Sequence, residues 1–276
     1  MSAALGPARI RRILIALDAS AQSLAALEQA AALAARLDAE LLGLFVEDIN
    51  LLRLAGLPFA REIGAHSART RRLDDAGMER TLRVQARRAQ QALSSVSERL
   101  RVQCSFRVAR GQVGVRVLEA AHDVDLVTIA LARRRAFSPT ARAVMAGAPR
   151  PLLLLQQGAG LRSPVLVIYD GSAAADRALD VARQLAQALG GQGGEDLSVL
   201  IPERESENLA RLKQEIDGFL EQAGLSGRIR PVNADPASIM RAVRMESAGT
   251  LVLTVWNEEG LHRLLAEADC AVLLVR

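Results

Sequence analysis

Apolar and polar positions along the chain follow two alternating periods. Short unbroken runs of Val, Ile and Leu alternate with longer stretches in which Ala and Leu return every three or four positions. The runs read as strands buried on both faces, the longer stretches as amphipathic helices. Residues 13–20, ILIALDAS, and 165–172, VLVIYDGS, are near copies: an apolar run, then Asp, a small residue and Ser. The offset of 152 persists downstream, where Leu27 matches Leu179, Ala30 Ala182, Leu33 Leu185 and Leu37 Leu189. A repeat of that size predicts one supersecondary plan used twice. Ser20 and Ser172 stand where a hydroxyl satisfies the free N–H groups of a helix start.

In the first copy further strands are predicted at 40–46, 102–109, 125–131 and 152–155, with helices at 114–122 and 140–147 and a long arginine-rich helical stretch ending near Leu100. The second copy predicts strands at 197–201, 228–232, 251–256 and 271–275, and helices at 203–222, 236–246 and 261–268. Strands alternating with helices argue for an α/β fold of doubly wound parallel sheets with right-handed crossovers. Domains are expected at residues 1–160 and 161–276. The closing strands begin at Pro149 and Asp269, an offset of only 120, so the first copy is 32 residues longer between its first and last strands. The excess is expected near 48–80. There Gly56, Pro58, Gly64 and Gly77 break the pattern and Arg53, Arg61, Arg69, Arg71 and Arg72 add charge.

Composition narrows the function classes. Aromatic residues make up 3% of the chain, with one Trp and one Tyr, which argues against base-stacking platforms. The net charge is +4, and Lys213 is the only lysine. Residues 1–160 carry 23 arginines against 14 carboxylates, and the remainder 12 basic against 17 acidic residues. That asymmetry suits an anionic partner for one half, attraction between the halves, or coding bias. Nine arginines between Arg69 and Arg101 read as a charged outer helix face, with no specific nucleic-acid contact implied. Cys104 and Cys270 fall in segments read as buried strands and make neither a disulfide framework nor a metal site. His66, His122 and His262 lack metal-ligand spacing. No apolar run reaches the ~18 residues that span a bilayer, and Met1 to Arg12 lacks a signal core. A reducing cytoplasm is the expected compartment. GGQGG at Gly190 to Gly194 follows a helix, the wrong context for a dinucleotide loop. No G-x-S-x-G elbow appears.

The paired strand–Asp–x–Ser openings (Asp18, Ser20; Asp170, Ser172), their Ala/Leu helices, RGQVGVRVLEAA and ADPASIMRAV in mid-copy, and the closing AGAPRPLLLL and AEADCAVLLVR together resemble the universal stress protein family in its tandem two-domain form. The resemblance implies a Rossmann-like, five-stranded parallel sheet in each domain, the two related by a pseudo-twofold axis. It also implies pairing of the final strands, Leu152–Leu155 with Ala271–Val275, inside one chain; a further homodimer and a protein partner stay open. Family members that bind ATP use a loop G-x-x-G-x(9)-G-[ST] after the fourth strand, whose backbone N–H groups and following helix start hold phosphate.

Neither copy keeps that loop. In the first, Ala130 stands at the first glycine, Arg133 near the second, and Ser138–Pro139 at the Gly-Ser position, with a shorter span. In the second, Trp256, Asn257, Glu258 and Glu259 fill the loop region, and two carboxylates repel a triphosphate. The resemblance places Asp18 and Asp170 at nucleotide or metal contacts and Val46 at the adenine pocket. Each also reads blandly, the aspartates as turn caps and Val46 as core. Arg133, Arg134 and Arg135 read either as a phosphate grip, since guanidinium forks match phosphate oxygens, or as a solvated loop. No catalytic constellation is found. The leading expectation is a non-enzymatic stress-response protein with degenerate nucleotide sites and no cofactor, binding a partner or small ligand. The alternative is an ATP sensor built on Asp18, Val46 and Arg133–Arg135. A third class is a binder of an apolar or anionic metabolite at the inter-domain cleft.

Overall fold

The computed structural model describes residues 9–57, 61–63, 70–72, 75–131, 137–156, 158–190, 196–202, 209–233, 235–254 and 258–276, with 61–63 and 70–72 as backbone only. The first half runs β1 (Arg12–Leu17), α1 (Ala21–Leu37), β2 (Glu40–Asp48), α2 (Ile49–Ala55), β3 (Arg61–Ile63), β4 (Thr70–Arg72), α3 (Asp75–Leu100), β5 (Cys104–Gly111), α4 (Val113–Ala120), β6 (Leu126–Leu131), α5 (Pro139–Gly147) and β7 (Leu152–Gln156). The second runs β8 (Val165–Ile168), α6 (Ala173–Leu189), β9 (Leu197–Pro202), α7 (Leu209–Ala223), β10 (Gly227–Val232), α8 (Pro236–Met245), β11 (Thr250–Thr254), α9 (Glu258–Glu267) and β12 (Ala271–Val275).

Each half builds five parallel strands, ordered β5-β2-β1-β6-β7 and β10-β9-β8-β11-β12. The two do not stay separate sheets. β7 and β12 pair antiparallel, Leu153 opposite Leu273, and fuse them into one ten-stranded sheet. This is the expected pairing of final strands. The strand sequences explain it: LLLL and AVLLV are buried almost throughout, and an edge so apolar needs a partner. The outer edges are protected differently. β5 carries Arg107 and Arg110, and β10 carries Arg228 and Arg230, charges that discourage strand addition.

One core lies on each face of the sheet, and both run through the seam. α1, α3, α6 and α7 cover one face, and α4, α5, α8 and α9 the other. α3 shows the sequence logic. Leu82, Ala86, Ala89, Leu93 and Val96 recur every three or four residues and are buried, while Arg80, Arg83, Arg87, Arg88 and Arg99 are exposed. That is the charged outer face read from the sequence. The segment expected to hold the excess contains α2 and a separate β3–β4 hairpin.

Two expectations change. Cys270 is buried, but Cys104 is exposed, because β5 is an edge strand with one side open. Glu258 and Glu259 lie in the first turn of α9 and not in a loop. There Glu258 faces Arg142 at 3.5 Å and Glu259 faces Arg263 at 2.6 Å. The ion pairs of the described residues form mostly within each half, so the charge asymmetry between the halves remains. Between described residues, Arg142–Glu258 is the one ion pair that joins them.

Candidate functional site

The strand order of the first half reverses between β1 and β6, because β1 leads to β2 on one side while β6 and β7 lie on the other. Open α/β sheets place ligand crevices at the carboxyl ends of strands at such a point. A cavity of about 280 Å³ lies there. Its apolar walls include Leu44 and Val46 from β2, Ile129 and Ala130 from β6, and Val113 and Val117 from α4. Asp18, Ser23, Ser138 and Thr140 bring the polar groups. Of the sequence candidates, Asp18 and Val46 are brought together, and Ala130, which stands at the first-glycine position, lines the same cavity. Arg133, Arg134 and Arg135 lie outside the described residues.

The turn that presents Asp18 is locked by three local hydrogen bonds. Ser20 N donates to Asp18 Oδ1 (2.9 Å), Ser23 N to Ser20 Oγ (3.1 Å), and Asp18 N to Ser23 Oγ (3.2 Å). Asp18 is therefore a turn cap through one carboxylate oxygen while it lines the cavity. Between Asp18 and Ser20, Ala19 takes φ +59°, a left-handed backbone that L-residues disfavour. The second half repeats the device with Gly171 at φ +75°. There Ser172 N donates to Asp170 Oδ1 and Ala175 N to Ser172 Oγ, both at 3.1 Å. Ala175 replaces Ser23, so the third bond has no counterpart.

Helix starts around the cavity differ. Ser138 N-caps α5 by accepting from Ala141 N at 3.1 Å, with Pro139 at the first helical position. That hydroxyl occupies a backbone donor which a phosphate would otherwise take. α4 begins after Gln112, which makes no side-chain cap, whereas its counterpart α8 is capped by Asp235, accepting from Ser238 N at 3.0 Å. In the second half, register places Pro202 at the position of Val46 and Thr254 at that of Ala130. Trp256 and Asn257 lie outside the described residues. On the opposite face, Tyr169 donates to Asp176 Oδ1 at 2.8 Å. Burial and that neighbouring carboxylate push its phenol above its ordinary range.

Sequence reasoning missed Ser23 and Thr140. The S-x-x-S spacing of Ser20 and Ser23 was the available signal, one helical turn placing both hydroxyls at the same helix end. Among the described residues no group of three or more His, Cys, Asp or Glu could hold a metal ion. No described helix is long and apolar enough to cross a membrane.

The model of the universal stress protein family matches residues 9–156, more than half of the chain. The chain belongs to that family. The fold of this universal stress protein is similar to a solved universal stress protein from Archaeoglobus fulgidus DSM 4304, at 15% identity and TM-score 0.75, covering 95% of this chain and 97% of that one. It is also similar to a functionally unknown protein from Pseudomonas aeruginosa PAO1, at 17% identity and TM-score 0.60, covering 96% and 92%. Both likenesses span the two halves. No curated protein sequence matches this universal stress protein.

Proposed function

We propose that this universal stress protein is non-enzymatic and acts by binding, with its first-half cavity taking a flat aromatic ring such as the base of a nucleoside. In this reading residues 1–160 and 161–276 form its two domains, and neither holds a triphosphate in the glycine-loop manner. The observation that carries the reading is the meeting of Asp18, Val46 and Ala130 around an apolar cavity of about 280 Å³, beside a helix start whose capping hydroxyl is already engaged by Ala141 N. A cavity of that size suits a ring. A phosphate tail would lie beyond Ala130, where a side chain replaces the bare backbone that phosphate cradles use.

The test compares adenosine, AMP and ATP by calorimetry and thermal shift on the full chain. A ligand present at about 100 times its Kd and selective for the folded state adds about 2.7 kcal/mol of stability. Adenosine is expected to stabilise the protein, with no added affinity from the phosphates, and Ala130→Phe is expected to remove the effect. ATP binding at least tenfold tighter than adenosine, and lost on Arg133→Ala with Arg134→Ala, would instead establish the ATP-sensor reading.

A further inference from the structure

The seam between the halves holds a second cavity, and comparison with its symmetry twin shows what is unusual about it. Across the seam, residues correspond at an offset of 120: Met145 to Leu265, Leu154 to Leu274, Gln156 to Arg276, Arg142 to His262 and Ser138 to Glu258. One interaction obeys that symmetry. Gln156 Nε2 donates to Leu265 O at 2.8 Å, and an Arg276 guanidinium nitrogen donates to Met145 O at 2.5 Å.

Around those twin bonds the two sides diverge. On the first, the amide of Gln156 is buried, as are Leu265 and Leu154. Phe137 and His262 meet edge to face there, with ring centroids 5.3 Å apart. On the second side the corresponding space is an open cleft of about 270 Å³. Met145, Leu261 and Leu274 give it an apolar lining, and Arg142, Arg276 and Glu258 complete it. Among the described residues, Arg276 stands where the first side has Gln156 and Arg142 pairs with Glu258 where the first side has His262 and Ser138, and the cleft on this side stays open.

The chemistry of the lining selects an occupant. Glu258 is the one side-chain carboxylate among the lining residues against two guanidinium groups, and its pairing with Arg142 is loose at 3.5 Å, while the main-chain oxygen of Arg276 accepts from Arg177 Nε at 2.7 Å. Guanidinium forks match carboxylate oxygens in a way an ammonium does not. The apolar lining gains by covering a hydrocarbon chain. The volume falls just below the ~300–1,000 Å³ of drug-sized ligand sites, which limits the occupant to one short chain.

We propose that this seam cleft binds a small anionic amphiphile, a free medium-chain carboxylate, with its head on Arg276 and Arg142 and its chain along Met145, Leu261 and Leu274. The occupant touches α5 of one half and α9 of the other, so binding braces the junction and is independent of the cavity at Asp18.

The test is calorimetric titration of the full chain with octanoate, alongside octan-1-ol, which has the same chain without the charge. Saturable octanoate binding is expected, at least tenfold tighter than the alcohol. Arg276→Gln installs the residue found at the twin position and is expected to weaken binding at least tenfold. Ala146→Phe, at an exposed position on the cleft wall, is expected to abolish it. Octanoate binding that survives both substitutions, or that disappears only on Ala130→Phe in the other cavity, overturns the proposal, as does absence of binding at millimolar octanoate. Co-sedimentation with phosphatidylglycerol vesicles that is lost on Arg276→Gln would place a bilayer at this face and overturn it equally.

Discussion

Exchanging the residues at the left-handed position of the two β–α turns, Ala19→Gly and Gly171→Ala, should move stability in opposite directions. Ala19 sits at φ +59° and Gly171 at φ +75°, so the same backbone is held by a strained residue in one half and a permissive one in the other. A left-handed L-residue costs about 1–2 kcal/mol. Replacing alanine by glycine relieves that cost but gives up about 0.4–1 kcal/mol, because glycine leaves the unfolded chain more freedom to lose on folding. Ala19→Gly should therefore stabilise by roughly 0.5–1 kcal/mol. Gly171→Ala reverses both contributions and adds a clash, since a Cβ there would stand 2.8 Å from Leu212 Cδ2. Its loss should reach about 1–2 kcal/mol. Calorimetric melting reads both, at about 2–4 °C per kcal/mol for chains of 150–250 residues and slightly less here. A fall in melting temperature for Ala19→Gly would refute the reasoning, because it would mean that alanine at this turn is favourable. The same pair of variants also reports on the site: Ala19 lies between the two residues whose hydrogen bond aims Asp18, so relief of strain without loss of adenosine binding is the expected combination.

Other consequences are equally direct. Leu153→Ala, at a fully buried seam position opposite Leu273, should cost about 2–5 kcal/mol in urea unfolding; a surface-like loss below about 0.5 kcal/mol would refute the fused core. Iodoacetamide at pH 8 should modify one cysteine of the native chain, Cys104, because burial pushes the Cys270 thiol up to about 11; peptide mass spectrometry identifies the site, and native labelling of Cys270 would contradict the packing. Glu40 accepts from Ser105 Oγ (2.7 Å) and Arg12 Nε (2.9 Å), which hold its carboxyl below the ordinary value of 4.5. A lowered folded value means that its stabilisation is complete above that range and is lost as pH falls through it. Glu40→Gln should thus flatten the decline in melting temperature between about pH 5 and 3, and an unchanged slope would show that the pair contributes nothing.

The fold was legible because its causes are local. A strand buried on both faces has no choice but to read as a continuous apolar run, so β1, β8, β7 and β12 stand out, and the Asp-x-Ser pairs mark where two of them turn into helices. Edges were harder. Val102 to Ala109 reads like an interior strand, yet β5 is an edge and Cys104 is exposed; topology sets which strand lies outermost, and Arg107 and Arg110 are the only trace of it in the strand itself. The first turn of α9 was misread for a related reason. Glu258 and Glu259 look like loop carboxylates until helix starts are recognised as places where negative charge is favourable. Of the site, Asp18 stood out in the repeated strand–Asp–x–Ser opening, and its role and that of Val46 came from the family resemblance. Ser23 was marked only by its S-x-x-S spacing from Ser20, and its role appears once the turn folds back and gives its hydroxyl the Asp18 N–H. The open seam cleft was invisible for a third reason: Gln156 and Arg276 are 120 positions apart, and their equivalence appears only once the final strands pair.

The antiparallel join of β7 with β12 has a directional consequence. Within either half all strands point the same way, but across the join that direction flips, so the two carboxyl rims look out from opposite ends of the slab. A macromolecule arriving from one side meets one mouth and the rear of the other. The slab is in this respect two-headed, its equivalent rims facing opposite ways.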